Sequence, residues 1–267
     1  SKRALELLDD HMGVFMANLD DSPHLVGSAL HARILALGLG GRLEQAAATA
    51  KACHETAIAR RAHDAVAVFA FARGQIALRQ GEVVTAEQYL REFDSRAEAS
   101  DAFGLRRWGL AGLATARAYQ ADPQGAARTI ELLRSIRPTV RLFETDVAIA
   151  EAATASVLGK LTAATAILEE AVGRARALGQ FAYEADALHE IVRLGRPERA
   201  CDRLRELSDL VDGAQVQLYA QHASALIDGD ATALLEAARG FEAMGAQLLG
   251  AEASARAAEC YERIGLR

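Results

Sequence analysis

The sequence has few cysteines, prolines and aromatic residues, and it has no long apolar run. Among its 267 residues there are three cysteines and four prolines, and aromatic residues make up 5%. Cys53, Cys201 and Cys260 lie far apart without a CxxC pair, which argues against a disulfide framework or a zinc site and fits a reducing cytosol. No stretch approaches the ~18 apolar residues of a membrane span, and the N-terminus has no signal-peptide pattern. We therefore expect a cytoplasmic protein that binds neither a membrane nor a metal.

Positive charge and strand-forming patterns are also scarce. The 30 Lys and Arg residues are outnumbered by 36 Asp and Glu residues, and the formal net charge is −6. This balance argues against a nucleic-acid surface spread over the whole molecule, because phosphate binding requires an excess of cations. Runs of β-branched residues are almost absent, whereas alanine is abundant and 51% of the residues are apolar. The predicted fold class is therefore all-α.

One short pattern recurs six times and resembles a break between two helices. Glycine can adopt the left-handed conformation that ends a helix, and a small residue five positions later would let two helices pack closely. The spacing falls from 40 to 34 residues along the chain, which is typical of helical-hairpin repeats. The turns begin at Gly41, Gly81, Ala121, Gly159, Gly195 and Gly229.

The turns divide the chain into helix pairs that form a single domain. The ninth and twelfth positions after each turn are mostly apolar, which predicts one buried stripe on each second helix. Pro138 is expected to end the third unit. The predicted units span 23–62, 63–99, 101–138, 140–179, 180–212 and 214–245, with flanking helices at 2–19 and 246–264.

The order of small residue, turn glycine, alanine and large apolar residue resembles the tetratricopeptide repeat along most of the chain. This resemblance implies an α-solenoid, a right-handed superhelical array of antiparallel helix pairs. The units are longer than the standard repeat, and its helix-A tyrosine is replaced. The replacing residues are Leu37, Ala77, Arg117, Ala155, Ile191 and Ala225.

The segment from Gly229 to Ala258 resembles the end of the helical-repeat region of large ATP-binding LuxR-type regulators, the MalT-like group. The resemblance is carried by the motif Phe-Glu-Ala-Met-Gly-Ala-Gln-Leu-Leu-Gly-Ala-Glu-Ala. The resemblance implies a ligand- or protein-binding sensor region of a transcription regulator. ATP and DNA would be bound only by modules outside this chain. The start at Ser1 and the end at Arg267 fit a region of a longer protein.

Motifs for catalysis or cofactor binding do not emerge. Gly159-Lys160 lacks the first glycine and the following Ser or Thr of a phosphate loop. His54-Glu55 and His189-Glu190 have no second histidine at the spacing of a zinc-binding motif. We therefore expect no cofactor, no metal site and no enzymatic activity.

The inner, concave face of the array is the predicted binding surface for a small-molecule effector or a protein partner. It is expected to carry aromatic and hydrogen-bonding side chains from the first helices, and the alternative is that these side chains fill the packing between repeats. Arg106-Arg107 beside Trp108 could likewise bind an acidic partner or be surface charge. A stand-alone adaptor that captures a peptide is the alternative function. The candidate residues are His31, Phe71, Gln75, Trp108, Thr115, Tyr119, His189 and Tyr219.

Overall fold

The fold is described by a computed structural model that covers residues 2–18, 21–99, 101, 104–136 and 141–263. Within these residues all regular structure is helical, which confirms the all-α class. Two 3-10 helices span Arg141–Phe143 and Pro197–Arg199. The α-helices are α1 (Lys2–Ala17), α2 (Pro23–Leu39), α3 (Leu43–Ala59), α4 (His63–Gln80), α5 (Val83–Ala99), α6 (Arg106–Tyr119), α7 (Pro123–Ser135), α8 (Glu144–Val157), α9 (Leu161–Ala177), α10 (Phe181–Arg193), α11 (Cys201–Leu210), α12 (Ala214–Asp228), α13 (Ala231–Met244) and α14 (Gln247–Arg263).

The six predicted turns all adopt the left-handed backbone conformation. Ala121, which replaces glycine in the third turn, has φ of +58°, a conformation that is costly for a residue with a Cβ atom. The backbone N–H of the next residue bonds back into the helix, as from Arg42 to the carbonyl of Leu37 at 2.9 Å. The helix breaks predicted at these turns are confirmed. The glycines have φ of +76° at Gly41, +84° at Gly81, +76° at Gly159, +78° at Gly195 and +63° at Gly229.

Each helix packs on its neighbours in the chain, and the first helices of the pairs also pack on one another. Contacts run from α2 to α4 and on through α6, α8 and α10 to α12. This arrangement gives an inner layer of even-numbered helices. The second helices α3, α5, α7, α9, α11 and α13 pack against it.

The apolar stripe predicted for the second helices is buried. Cys53 is the exception, since it is only half-buried. Burial of these side chains provides most of the stability expected for a repeat array, because each pair alone would expose its stripe. The ninth positions are Ala50, Leu90, Ile130, Leu168, Leu204 and Ala238, and the buried twelfth positions are Phe93, Leu133, Ala171, Leu207 and Phe241.

Helix α6 begins at Arg106, five residues later than the predicted start at residue 101. The Asp101 carboxylate accepts the backbone N–H groups of Leu105 at 2.8 Å and Arg106 at 3.2 Å. These bonds satisfy donors that a helix leaves without partners at its N-terminus. The loop therefore extends to Leu105 before the helix starts.

The second half of the predicted unit 180–212 is split into a 3-10 helix and α11. Pro197 begins the 3-10 helix, and the backbone N–H of Ala200 donates to the Pro197 carbonyl at 3.1 Å. This tight bond takes the place of the α-helical pattern before α11 starts at Cys201. Residue 19, Pro138 and residue 264, which are predicted ends of elements, lie outside the described residues.

The two ends of the array meet. Leu43 at the start of α3 belongs to the same apolar cluster as Phe241 and Met244. A Cβ atom added to Gly213 would lie 2.8 Å from the carbonyl oxygen of Gly40. We call this meeting of residues 40–43 with residues 213–215 and 244–246 the closure contact. It makes the inner layer surround an interior space, while the handedness of the superhelix stays a prediction.

Candidate functional site

Five of the eight candidate residues line one partly open cavity of about 110 Å³. They come from α4, α6, α10 and α12, which are all first helices of their pairs. The structure thus brings together side chains that are up to 144 positions apart in the sequence. Their role as ligand contacts stays a prediction. These residues are Gln75, Thr115, Tyr119, His189 and Tyr219.

The other three candidates, His31, Phe71 and Trp108, form an aromatic cluster beside the cavity. The Phe71 ring lies 5.5 Å from His31 and 4.7 Å from Trp108 between ring centroids. Trp108 also stacks on Phe143 at 3.8 Å. Phe71 and Trp108 are buried, and burial lowers the pKa of His31 to about 4. These rings fill space between helices. Packing of this kind is the alternative to ligand contact that the sequence left open.

Arg79 and Asp186 form a partly buried ion pair on the cavity wall. A nitrogen of the Arg79 guanidinium lies 2.9 Å from the Asp186 carboxylate. The same carboxylate accepts hydrogen bonds from the Gln215 amide at 2.9 Å and from the Tyr219 hydroxyl at 3.3 Å. Burial, followed by the negative charge of Asp186, raises the pKa of Tyr219 well above its usual value. The pair therefore fixes three inner helices around the cavity.

Arg193 is the centre of a second ion-pair network. Its guanidinium donates to both carboxylate oxygens of Glu252 at 2.8 and 2.7 Å, and to Glu190 at 2.7 Å. It also donates to the Tyr119 hydroxyl and lies 4.7 Å from the centroid of that ring. Because Glu252 is on α14, Arg193 links the last helix to α10. Paired, bidentate bonds of this type are among the strongest that side chains form.

Arg79 and Arg193 were missed by sequence reasoning, although a signal for them exists. Each stands two residues before a turn, and so does Tyr119, which also lines the cavity. In a helix pair this position lies at the end of the first helix, where it can point toward the interior. Comparing that position across all six turns would have identified both arginines.

Asp146, in the first turn of α8, lines the cavity with a carboxyl group whose burial is poorly compensated by hydrogen bonds. Its Oδ2 atom is buried and has no hydrogen-bond partner among the described residues. Burial raises the pKa of this carboxyl to about 7, against the opposing effect of Arg79. The indole N–H of Trp108 faces this carboxyl and lowers its pKa as a donor, although the two groups do not meet the geometry of a normal hydrogen bond. The hydroxyl of Tyr183 is buried without a partner among the described residues. Unsatisfied buried polar groups are rare and costly, and they mark sites that water or a ligand completes.

His189 and His222 connect the cavity to a larger groove. His189 Nε2 lies 3.1 Å from His222 Nδ1, so one ring donates a hydrogen bond to the other. His189 also stacks on Tyr219 with 3.8 Å between ring centroids. Burial lowers the pKa of His222 to about 4 and the pKa of His189 well below its usual value. Both imidazoles are therefore neutral at pH 7.

The groove has a volume of about 1230 Å³ and lies between α10 and the last helix, α14. His222 lines it, and its Nε2 atom is buried without a hydrogen-bond partner among the described residues. Tyr119, Glu190 and Arg193 line both the groove and the cavity. These three side chains thus form the wall between the two spaces.

Comparison with known proteins leaves the geometry as the basis for assigning this site. No protein-family model, curated protein or solved structure matches the chain. Among the described helices none is long and apolar enough to cross a membrane.

The remaining sequence motifs take part in local structure. Gly159 forms the turn between α8 and α9, with φ of +76°. Arg106 pairs with Asp94 at 2.8 Å, and Arg107 donates to the carbonyl of Leu133 at 2.9 Å. Both arginines are mostly buried. The pair therefore connects helices, and neither guanidinium is presented as a free cation.

Proposed function

We propose that this chain is the effector-binding sensor region of a LuxR-type, MalT-like transcription regulator, and that the cavity holds the effector. The observation that supports the proposal is the convergence of polar side chains from α4, α6, α8, α10 and α12 on one cavity. Most other surfaces between these helices are apolar. A mostly apolar cavity on which a few polar groups converge is typical of a binding site, since those groups fix a ligand's orientation.

The closure contact offers a way to transmit effector binding in the cavity to the other modules of the regulator. A ligand that fills the cavity contacts helices from both halves of the array, so it favours the conformation in which the ends meet. Ligands shift a conformational equilibrium only through such a difference in affinity between two states. The ATP-binding and DNA-binding modules of the proposed regulator would respond to that shift.

A thermal-shift screen of small metabolites against the isolated chain tests ligand binding. A compound that binds only the folded state raises the midpoint of thermal unfolding by mass action. Replacing Thr115 by valine removes a hydroxyl from the cavity, and we expect it to reduce this shift. Thr165→Val is the matched control, because Thr165 has the same bond to the carbonyl four residues earlier but lines neither cavity nor groove. Failure of every compound in the screen would contradict a small-molecule site.

The regulator part of the proposal is tested by the reading frame that encodes the chain. We expect a phosphate-binding loop upstream and a helix-turn-helix downstream. If the complete reading frame lacks both, the chain is not a region of a LuxR-type regulator.

The groove favours a second candidate function, that of a protein-interaction adaptor. Its volume of about 1230 Å³ could hold a peptide segment, which the cavity of about 110 Å³ could not. Recovery of one stoichiometric partner with the isolated chain, without an effect on transcription, would support the adaptor. Loss of that partner on filling the groove, for example by Ala153→Trp, would localise it there.

A further inference from the structure

The charges around the cavity indicate which class of effector it binds. Among the described residues three carboxylates and two guanidinium groups line the cavity. Both guanidinium groups are already bound, Arg79 by Asp186 and Arg193 by Glu190 and Glu252. Asp146 is left without a hydrogen-bonded cation. The interior thus carries an excess of negative charge.

We infer that the effector is a small organic cation, a primary ammonium compound that donates hydrogen bonds to Asp146. This inference rests on the proposed function of the cavity as an effector site. An ammonium group has three donors and no acceptor. The Asp146 carboxylate, the Gln75 amide and the Thr115 hydroxyl line the same cavity and all contain acceptor oxygens.

Other ligand classes fit the lining less well. An anion would have to displace a carboxylate from Arg79 or Arg193, which would leave a buried carboxylate without its partner. A metal ion needs several protein ligands at once, and the described residues contain no group of three or more His, Cys, Asp or Glu that could hold one. The cavity volume of about 110 Å³ limits the ligand to a few non-hydrogen atoms.

Binding of such a cation should depend on pH through Asp146. Arg79 of α4, Asp186 and Tyr183 of α10, and Trp108 of α6 face this carboxyl. Its pKa is raised to about 7, so a proton competes with the cation below that pH. Between pH 8 and pH 6 the affinity should fall by about tenfold, in proportion to the ionised fraction of Asp146.

Titration of the folded chain with ethylammonium, acetate and 1-propanol tests the inference. We would follow the protein by NMR at pH 8, because ethylammonium, with three non-hydrogen atoms, binds with a dissociation constant on the order of 1 mM at best. We expect ethylammonium to bind, with chemical-shift changes at cavity residues, and the other two probes to have no effect there. Asp146→Asn should weaken ethylammonium binding at least tenfold. Asp202→Asn is the control, since the Asp202 side chain is 94% exposed and distant from the cavity.

Asp146→Asn should fold, because it removes a buried charge without changing the side-chain size. Binding of acetate or 1-propanol in the cavity without ethylammonium would overturn the inference while the proposed effector site stands. Unchanged ethylammonium binding in Asp146→Asn would also overturn it. If none of the three probes binds, the inference is wrong, and the metabolite screen then decides separately whether the cavity is an effector site.

Discussion

Asp146 makes the stability of the fold depend on pH. Its carboxyl has a pKa of about 7 in the folded protein, against a usual value of 3.8, and burial is the main cause. The folded state therefore binds this proton more tightly than the unfolded state does. The sign of the effect follows: the contribution of Asp146 to stability is full below about pH 4 and is lost as the pH rises through 7.

We predict that Asp146→Asn raises the free energy of unfolding by roughly 1–3 kcal/mol at pH 8 and has little effect at pH 5. Urea unfolding of wild type and variant between pH 5 and pH 8 measures the difference. His31 and His222, whose pKa values are lowered to about 4, destabilise the fold as the pH falls below about 6.5. This loss of stability is the same in wild type and in Asp146→Asn, so it cancels in the difference between their free energies of unfolding. A difference that does not vary with pH would contradict the prediction.

Ala121 places a residue with a Cβ atom in a conformation that favours glycine. Its φ of +58° is that of the glycines at five equivalent turns. We predict that Ala121→Gly stabilises the protein by about 0.5–1 kcal/mol, because relief of the left-handed strain exceeds the added flexibility of the unfolded chain. Ala52→Gly, at an exposed site inside α3, should instead destabilise by about 1 kcal/mol. Thermal unfolding of both variants tests the contrast.

At the scale of the elements, the turns differ in whether another part of the chain packs on them. Gly213 and Gly195 both have positive φ, at +107° and +78°. An added Cβ atom would meet the Gly40 carbonyl at Gly213 but has open space at Gly195. We predict that Gly195→Ala costs about 1 kcal/mol from backbone strain, and that Gly213→Ala costs at least twice as much because the closure contact must shift. Equal losses in denaturant unfolding would contradict this.

Arg193 holds α14 on α10, so its removal should loosen the last helix. We predict that Arg193→Ala destabilises the protein by about 3 kcal/mol, since Glu190 and Glu252 then keep their charges without a partner. Arg256→Ala is the control on α14, because its ion pair with Glu259 is half-exposed and should contribute less than ~1 kcal/mol. Hydrogen exchange should show faster opening of α14 in Arg193→Ala alone. Unchanged exchange there would mean that the apolar contacts with α13 suffice to hold the helix.

Local patterns were enough to predict most helices and the six turns, because each depends on residues close in sequence; the late start of α6 and the 3-10 helix at Pro197 were missed. The glycines fixed the breaks, and the three-residue spacing of Leu90 and Phe93 identified the buried face of α5. The cavity was only partly predictable. Tyr119 and His189, which were predicted from their position on first helices, line the cavity. Asp146 depends on Arg79 and Asp186, which lie 67 and 40 residues away in the sequence. No local signal reports such contacts.

At the scale of the whole molecule, the closure contact should make the array unfold as one unit. An open repeat array couples only adjacent units, whereas here Leu43 of the first unit shares one apolar cluster with Phe241 and Met244 of the sixth. We predict that Trp108 fluorescence, a probe of the third unit, and far-ultraviolet circular dichroism give the same unfolding midpoint in urea. Leu234→Ala, a cavity-forming change in the sixth unit, should move both midpoints equally. A shift seen by circular dichroism alone would show that the two ends unfold independently.

If the cavity is the proposed effector site, the wall formed by Tyr119, Glu190 and Arg193 has a consequence for the time course of effector binding. A molecule that passes between the groove and the cavity must first separate these bonded side chains, because they line both spaces. For this route the rates of entry and release are set by the protein, and at high effector concentration the association rate reaches a plateau. A sensor of this kind responds with a delay and averages out brief fluctuations in concentration, so that only a sustained supply of effector changes its output.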